Sequence, residues 1–178
     1  MKPQDATPVQ VWTTGQCAGP PGHGYGGWAW LAVQGGVARG AAGGERHTTG
    51  GRMALRAVLE ALKGLAESPA VPLQLDPGAA SLAALAADLP GRKAAGWRTA
   101  EGDPLAEADL WAALAEAVAA RGGPVRFVAG ATLGRADPGG FVAAWSEFAR
   151  DRCKAKGAFT SAIPKPNLAG FLAKRGAA

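Results

Sequence analysis

The period of the apolar residues first changes near residue 50, from the strand's two to the helix's roughly 3.6, and that change points to the fold class. Residues 9–13 (VQVWT) alternate apolar and polar, the two-residue period of a strand with one buried face. A glycine- and proline-rich loop over residues 15–26 separates them from a second apolar strand at 27–34. Gly35-Gly36 supplies the positive φ angles of a tight hairpin, and residues 37–43 form a third, weaker strand. From Arg52 onward Leu55, Val58, Leu59, Leu62 and Leu65 recur at helical spacing, and Pro69 ends that helix. A fourth strand is expected at 71–75. A helix follows at 79–89, stopped by Pro90-Gly91, and then a polar loop bearing Trp97. Leu110, Leu114 and Val118 mark the next helix, residues 125–129 a fifth strand, and residues 141–152 a last helix with Phe141, Trp145 and Phe148 on one face.

Strands joined by hairpins pair antiparallel, whereas strands joined through a helix cross over and pair parallel. The order therefore predicts an α/β fold: a five-stranded mixed sheet with helices on both faces, the first, fourth and fifth strands central. One domain spans residues 9–156. A tail (1–8) precedes it, and a basic extension (157–178), loosely docked or disordered, follows.

The net charge of +5 suits an anionic partner such as nucleic acid and equally suits a solubility role. No apolar run is long enough to cross a bilayer and the first residues lack a signal core, so a cytoplasmic protein without a membrane partner is expected. Cys17 and Cys153 match no metal spacing. Residues 22–27 satisfy G-x-G-x-x-G, but a strand follows where a dinucleotide site needs a helix. His23 and His47 have no partner at a catalytic spacing. Five tryptophans fall on core positions, which leaves Trp97 as the candidate for surface contact.

Five segments, in order, carry a resemblance. Thr13-Thr14-Gly15-Gln16-Cys17 resembles T-D-G-S-C, and Thr48-Thr49-Gly50-Gly51-Arg52-Met53-Ala54-Leu55 resembles T-T-N-N-R-M-E-L. Leu73-Gln74-Leu75-Asp76 resembles a strand ending in S-T-D-S. Gly96-Trp97-Arg98-Thr99 with Asp109-Leu110-Trp111 resembles G-W-K-T and D-L-W. Val128-Ala129-Gly130 with Glu147-Phe148-Ala149-Arg150 resembles V-K-G-H and D-E-L-A-R. Together they resemble bacterial type I ribonuclease H from about residue 9 to residue 152. The resemblance implies the ribonuclease H-like fold and, in the family, four carboxylates that hold two Mg²⁺ or Mn²⁺ ions for phosphodiester hydrolysis.

Three of those four positions differ here. Thr14, Ala54 and Ser146 stand where the family has acids, and Asp76 remains, either as a cap for the next helix or as a weak metal candidate. The family's mobile histidine falls at Ala131 or a neighbour. Glu60, Glu147 and Asp151 lie off the required helix faces, and Asp137 lies in the expected histidine loop, so none is expected to stand in. The expectations are therefore no bound cofactor, a site unable to hold two metals, and a catalytically inactive, non-enzymatic protein. That protein is expected to bind RNA–DNA hybrid or another nucleic acid through Gly15, Cys17, Thr49, Arg52, Arg92, Lys93, Trp97 and Arg98. A protein-interaction scaffold or homodimer, and a residual metal-dependent ribonuclease, stay open as alternatives.

Overall fold

The computed structural model describes residues 7–130 and 136–176. Three long strands, β1 (Val9–Ala18), β2 (Gly24–Gln34) and β3 (Val37–Thr48), form the antiparallel meander. Helix α1 (Gly50–Gly64) then crosses to β4 (Leu73–Asp76), which pairs parallel to β1. Two short helices, α2 (Ala80–Ala86) and α3 (Leu89–Ala94), and the longer α4 (Ala108–Ala119) lead to β5 (Val125–Phe127), parallel to β4. Helix α5 (Pro138–Lys156) follows. The chain closes with β6 (Phe159–Ala162) and α6 (Lys165–Gly176).

The sheet order is β5-β4-β1-β2-β3-β6. The α/β reading with helices on both faces holds, with two corrections. There are six strands rather than five, and β5 is an edge strand. The tail expected to be loosely docked supplies the sixth strand, antiparallel to β3 from Ala41 to Gly44, and a helix that buries Leu168 and Phe171.

Both faces of the sheet are covered, which explains why β2 reads as an almost continuous apolar run. Trp28, Trp30 and Ala32 point to the face covered by α1 and α4, where they meet Met53, Val58, Leu62 and Leu114. Ala29, Leu31 and Val33 point to the other, against Val142 and Ala149 of α5 and Leu168 and Phe171 of α6. Each fully buried aliphatic side chain contributes about 1.5–3 kcal/mol.

The helices sit close because glycines let them. A Cβ on Gly15 would overlap the backbone of Met53 and Ala54, and one on Gly27 would overlap Ser146 and Arg150. Prolines open helices here rather than close them. Asp88 accepts a bond from the Gly91 N–H with Pro90 in the first turn of α3, and Asp137 accepts one from the Gly140 N–H with Pro138 beginning α5. The break expected at Pro90-Gly91 is thus the start of a second helix.

Candidate functional site

The carboxyl end of β4 lies beside the middle of β1, with Trp12 in register with Asp76. They open into a cavity of about 350 Å³ whose lining includes Thr14, Asp76 and, from the start of α5, Asp137 and Val142. Asp76 is buried, and its Oδ1 accepts the Gly78 N–H at 2.9 Å. Gly78 has φ +77°, which an L side chain rarely adopts, so the carboxylate closes a tight turn. The cap expected of it is not found, because α2 starts behind Ala79 without a side-chain bond.

Asp137, expected in the histidine loop and not as a stand-in acid, brings a second carboxylate to the same cavity. Its Oδ1 is engaged at 2.8 Å by the Gly140 N–H. Ala131, the expected histidine position, lies outside the described residues.

The other two substituted positions flank this cavity without lining it. Ala54 presses its backbone on Gly15 of β1. Ser146 is fully buried, donates to Ala143 O at 2.8 Å and accepts from Gln16 Nε2 at 2.7 Å. Gln16 Oε1 in turn accepts from Arg150 at 2.9 Å, so polar side chains tie α5 to β1. From α5 the cavity is lined by Pro138, Gly139 and Val142, the last a full turn before Ser146.

The donor set of this cavity is small. Mg²⁺ and Mn²⁺ take oxygen ligands, and two of them side by side need several anions to offset their repulsion. The cavity is lined by two carboxylates, each already accepting a backbone N–H, and by Thr13 and Thr14. Among the described residues no three His, Cys, Asp or Glu side chains converge.

The residues expected to contact nucleic acid fall into two groups. Thr49 caps α1, accepting the Arg52 N–H at 3.2 Å. Its hydroxyl also donates to Glu107 Oε1 at 2.8 Å, and Arg52 pairs with Glu107 at 2.8 Å and with Asp109 at 3.0 Å. These bonds raise the Arg52 pKa above its ordinary value and lower that of Asp109. Glu107 adopts φ +60°, the left-handed conformation that side chains avoid, and its neighbours hold it there. Sequence reasoning overlooked Glu107. Its signal was a pair of acids, Glu107 and Asp109, opening the helix that packs on α1. Cys17 sits beside this network, its thiol bonded to Thr48 O and its pKa pushed up by burial.

The second group is the expected basic strip. Lys93 is exposed on α3, Arg92 is half-buried, and Arg98 donates to Gly102 O at 2.8 Å. Trp97 packs against the edge of the core rather than standing free. Arg92, Lys93 and Arg98 share residues 88–103 with Asp88, Glu101 and Asp103, so this stretch carries no net charge.

Comparison with known proteins decides the family. Over 132 residues, 74% of this chain and 78% of the relative, the sequence is 40% identical to a protein of Thermus thermophilus named Ribonuclease H. A Ribonuclease H of Pseudomonas paraeruginosa is 38% identical over 135 residues, 76% of this chain and 87% of its own. This chain belongs to the ribonuclease H family. No family model matches it.

Among solved structures, LC9-RNase H1, described as a type 1 RNase H with the type 2 active-site motif, superposes with a TM-score of 0.64. The match covers 96% of this chain and 87% of that one at 20% identity. LC11-RNase H1, solved with an RNA/DNA hybrid, gives 0.58 at 13% identity, covering 82% and 99%. Both likenesses show the fold.

The relatives overturn one expectation. Proteins sharing about two residues in five with this ribonuclease H family member carry the name of the enzyme, and nothing shows this chain to be inactive. The reading of a non-enzymatic, catalytically inactive protein, drawn from Thr14, Ala54 and Ser146, does not stand. Among the described residues no helix is long and apolar enough to cross a membrane.

Proposed function

We propose that this member of the ribonuclease H family binds RNA–DNA hybrid on the side of the sheet where β4 ends beside β1. The observation that carries the reading is family membership joined to the LC11-RNase H1 neighbour, which holds a hybrid on the same fold. The chain's own geometry supports it. The cavity of Thr14 and Asp76 opens on that side, and the hydroxyl of Thr49 stands at the exposed start of α1. We further propose that this cavity does not hold two metals, since its donors are too few. Asp76 and Asp137 are then the carboxylates on which any hydrolysis by the chain depends.

The test is a titration of the full chain with labelled hybrid, duplex DNA and single-stranded RNA at two salt concentrations, with cleavage followed in Mg²⁺ and in Mn²⁺. Hybrid is expected to bind most tightly, with an affinity that falls steeply as salt rises. Hydrolysis that disappears in Asp76→Asn places the chemistry at this cavity. Equal, salt-insensitive affinity for all three ligands refutes the reading and favours a protein partner on the same scaffold.

A further inference from the structure

The charge of this chain is distributed very unevenly. After Asp151 the charged residues are Arg152, Lys154, Lys156, Lys165, Lys174 and Arg175, with no Asp or Glu. Those six exceed the whole net charge of +5, so everything before them is slightly acidic on balance. Among the described residues none of the six is in an ion pair, whereas Arg52, Arg56 and Arg150 all are. The structure also fixes where these cations stand. Lys154 lies 5.1 Å from the centre of the Tyr25 ring at the start of β2, and Arg46 holds that turn of α5 through the carbonyls of Cys153 and Lys154. Arg152 lies over Phe159 at 4.3 Å.

At the other end of the segment, α6 runs beside the start of α5. The two enclose a groove of about 550 Å³ lined by Asp137, Phe141, Asn167, Gly170, Phe171 and Lys174. Asp137 lines this groove and also the cavity of Asp76, so the two openings adjoin. Phe171 stacks on Phe141 at 4.9 Å and anchors the helix, leaving Lys174 exposed at the rim.

We propose that the C-terminal segment, from the last turns of α5 through α6, is the surface that grips the nucleic-acid phosphate backbone, with Lys174 on the groove that adjoins the Asp76 cavity. This rests on the reading that the chain binds nucleic acid and says which residues supply the electrostatic hold. The reasons are comparative. A polyanion follows the local balance of charge, and unpaired exposed cations release counterions that paired ones do not. Arg92, Lys93 and Arg98 are balanced by Asp88, Glu101 and Asp103 and Arg52 is held by two carboxylates, whereas the C-terminal cations have no acid in their own segment. The single carboxylate in the groove, Asp137, is turned to the amide of Gly140.

The test compares charge-neutral variants of the full chain by titrating labelled hybrid between about 50 and 200 mM salt. Each lost phosphate contact flattens the slope of log K against log salt by about 0.9. Lys174→Gln with Arg175→Gln is expected to lower the slope by nearly two and to weaken binding at least about tenfold at 0.1 M salt. Lys154→Gln with Lys156→Gln should act in the same direction. Arg92→Gln with Lys93→Gln should change the slope by much less. Circular dichroism shows whether each variant is folded; since Lys174 and Lys154 are exposed, wild-type spectra are expected. Unchanged slopes in both C-terminal variants, with wild-type hybrid binding intact, overturn this inference and leave the proposed function standing. Failure of the wild-type chain to bind any nucleic acid overturns both.

Discussion

Replacing Gly15 by alanine tests how α1 is seated on the sheet. A Cβ there would lie 2.5 Å from Met53 O and closer still to Met53 C and Ala54 N. Ordinary van der Waals contact needs about 3.5 Å or more, so strand and helix must separate by roughly 1 Å. The atoms in the way are backbone and cannot rotate aside. A gap of that size forfeits a quarter to a half of the dispersion energy between the surfaces it parts. Here those surfaces include Met53, Val58 and Val11, all fully buried. Overpacking costs typically 1–3 kcal/mol, and a backbone clash belongs at the upper end, about 3 kcal/mol. In a chain of this length that lowers Tm by roughly 6–12 °C. Thermal unfolding by circular dichroism, with urea unfolding to check that m is unchanged, reads it. Gly170→Ala is the control, because nothing lies within 4 Å of its Cβ position and Gly inside a helix costs about 0.5–1 kcal/mol relative to Ala. It should raise stability. A Gly15→Ala protein with the wild-type Tm would refute the picture of a helix seated directly on β1.

Glu107→Ala removes the carboxylate that Thr49 and Arg52 share and keeps a side chain in the left-handed conformation, so it should destabilise. Glu107→Gly should be about 1 kcal/mol more stable than Glu107→Ala, since only the conformational cost separates the two in denaturant unfolding. Because Arg52 lowers the pKa of Asp109, the stability from this pair is present above the ordinary carboxylate pKa of about 3.9 and fades as pH falls through the lower folded value. Asp109→Asn should therefore flatten the acid limb of the stability profile below about pH 4 and leave its alkaline limb unchanged. Burial raises the pKa of Cys17 and of Cys153, so both thiols should react with iodoacetamide at pH 8 more slowly than a free cysteine, Cys153 slowest.

Much of this was legible in the sequence because periodicity and motif order report on long elements. The alternation near Val11 and the helical spacing of Leu55, Val58 and Leu62 announced β1 and α1, and the family segments set the topology. The failures have physical causes. Pro90 signals a helix stop by sequence, yet a proline in the first turn of a helix loses no hydrogen bond. β6 is four residues of Phe, Thr, Ser and Ala whose strand state comes from pairing with β3, a long-range contact that local propensity cannot report. Of the site, Asp76 and Thr14 were found by motif and share one cavity. Asp137 was set aside because its approach to Asp76 depends on where α5 begins in space, and Glu107 because its role depends on α4 packing against α1. Inactivity was inferred from side-chain identity at single positions, which the naming of close relatives does not support.

The pairing of β6 with β3 bears on how copies of this chain meet one another. Without β6, a twelve-residue strand would present its unsatisfied amides and carbonyls along one side of the molecule, a template on which another chain can add. With it, the middle of that strand is sealed, and the lengths left open carry Arg39 on one side and Glu45 and Arg46 on the other. The opposite border of the sheet is β5, only three residues long and bearing Arg126. Both borders are short and charged, so self-association by continuing the sheet is disfavoured at each. A shortened chain ending near residue 157 should stay clear only in dilute solution and form thioflavin-positive aggregates as its concentration rises.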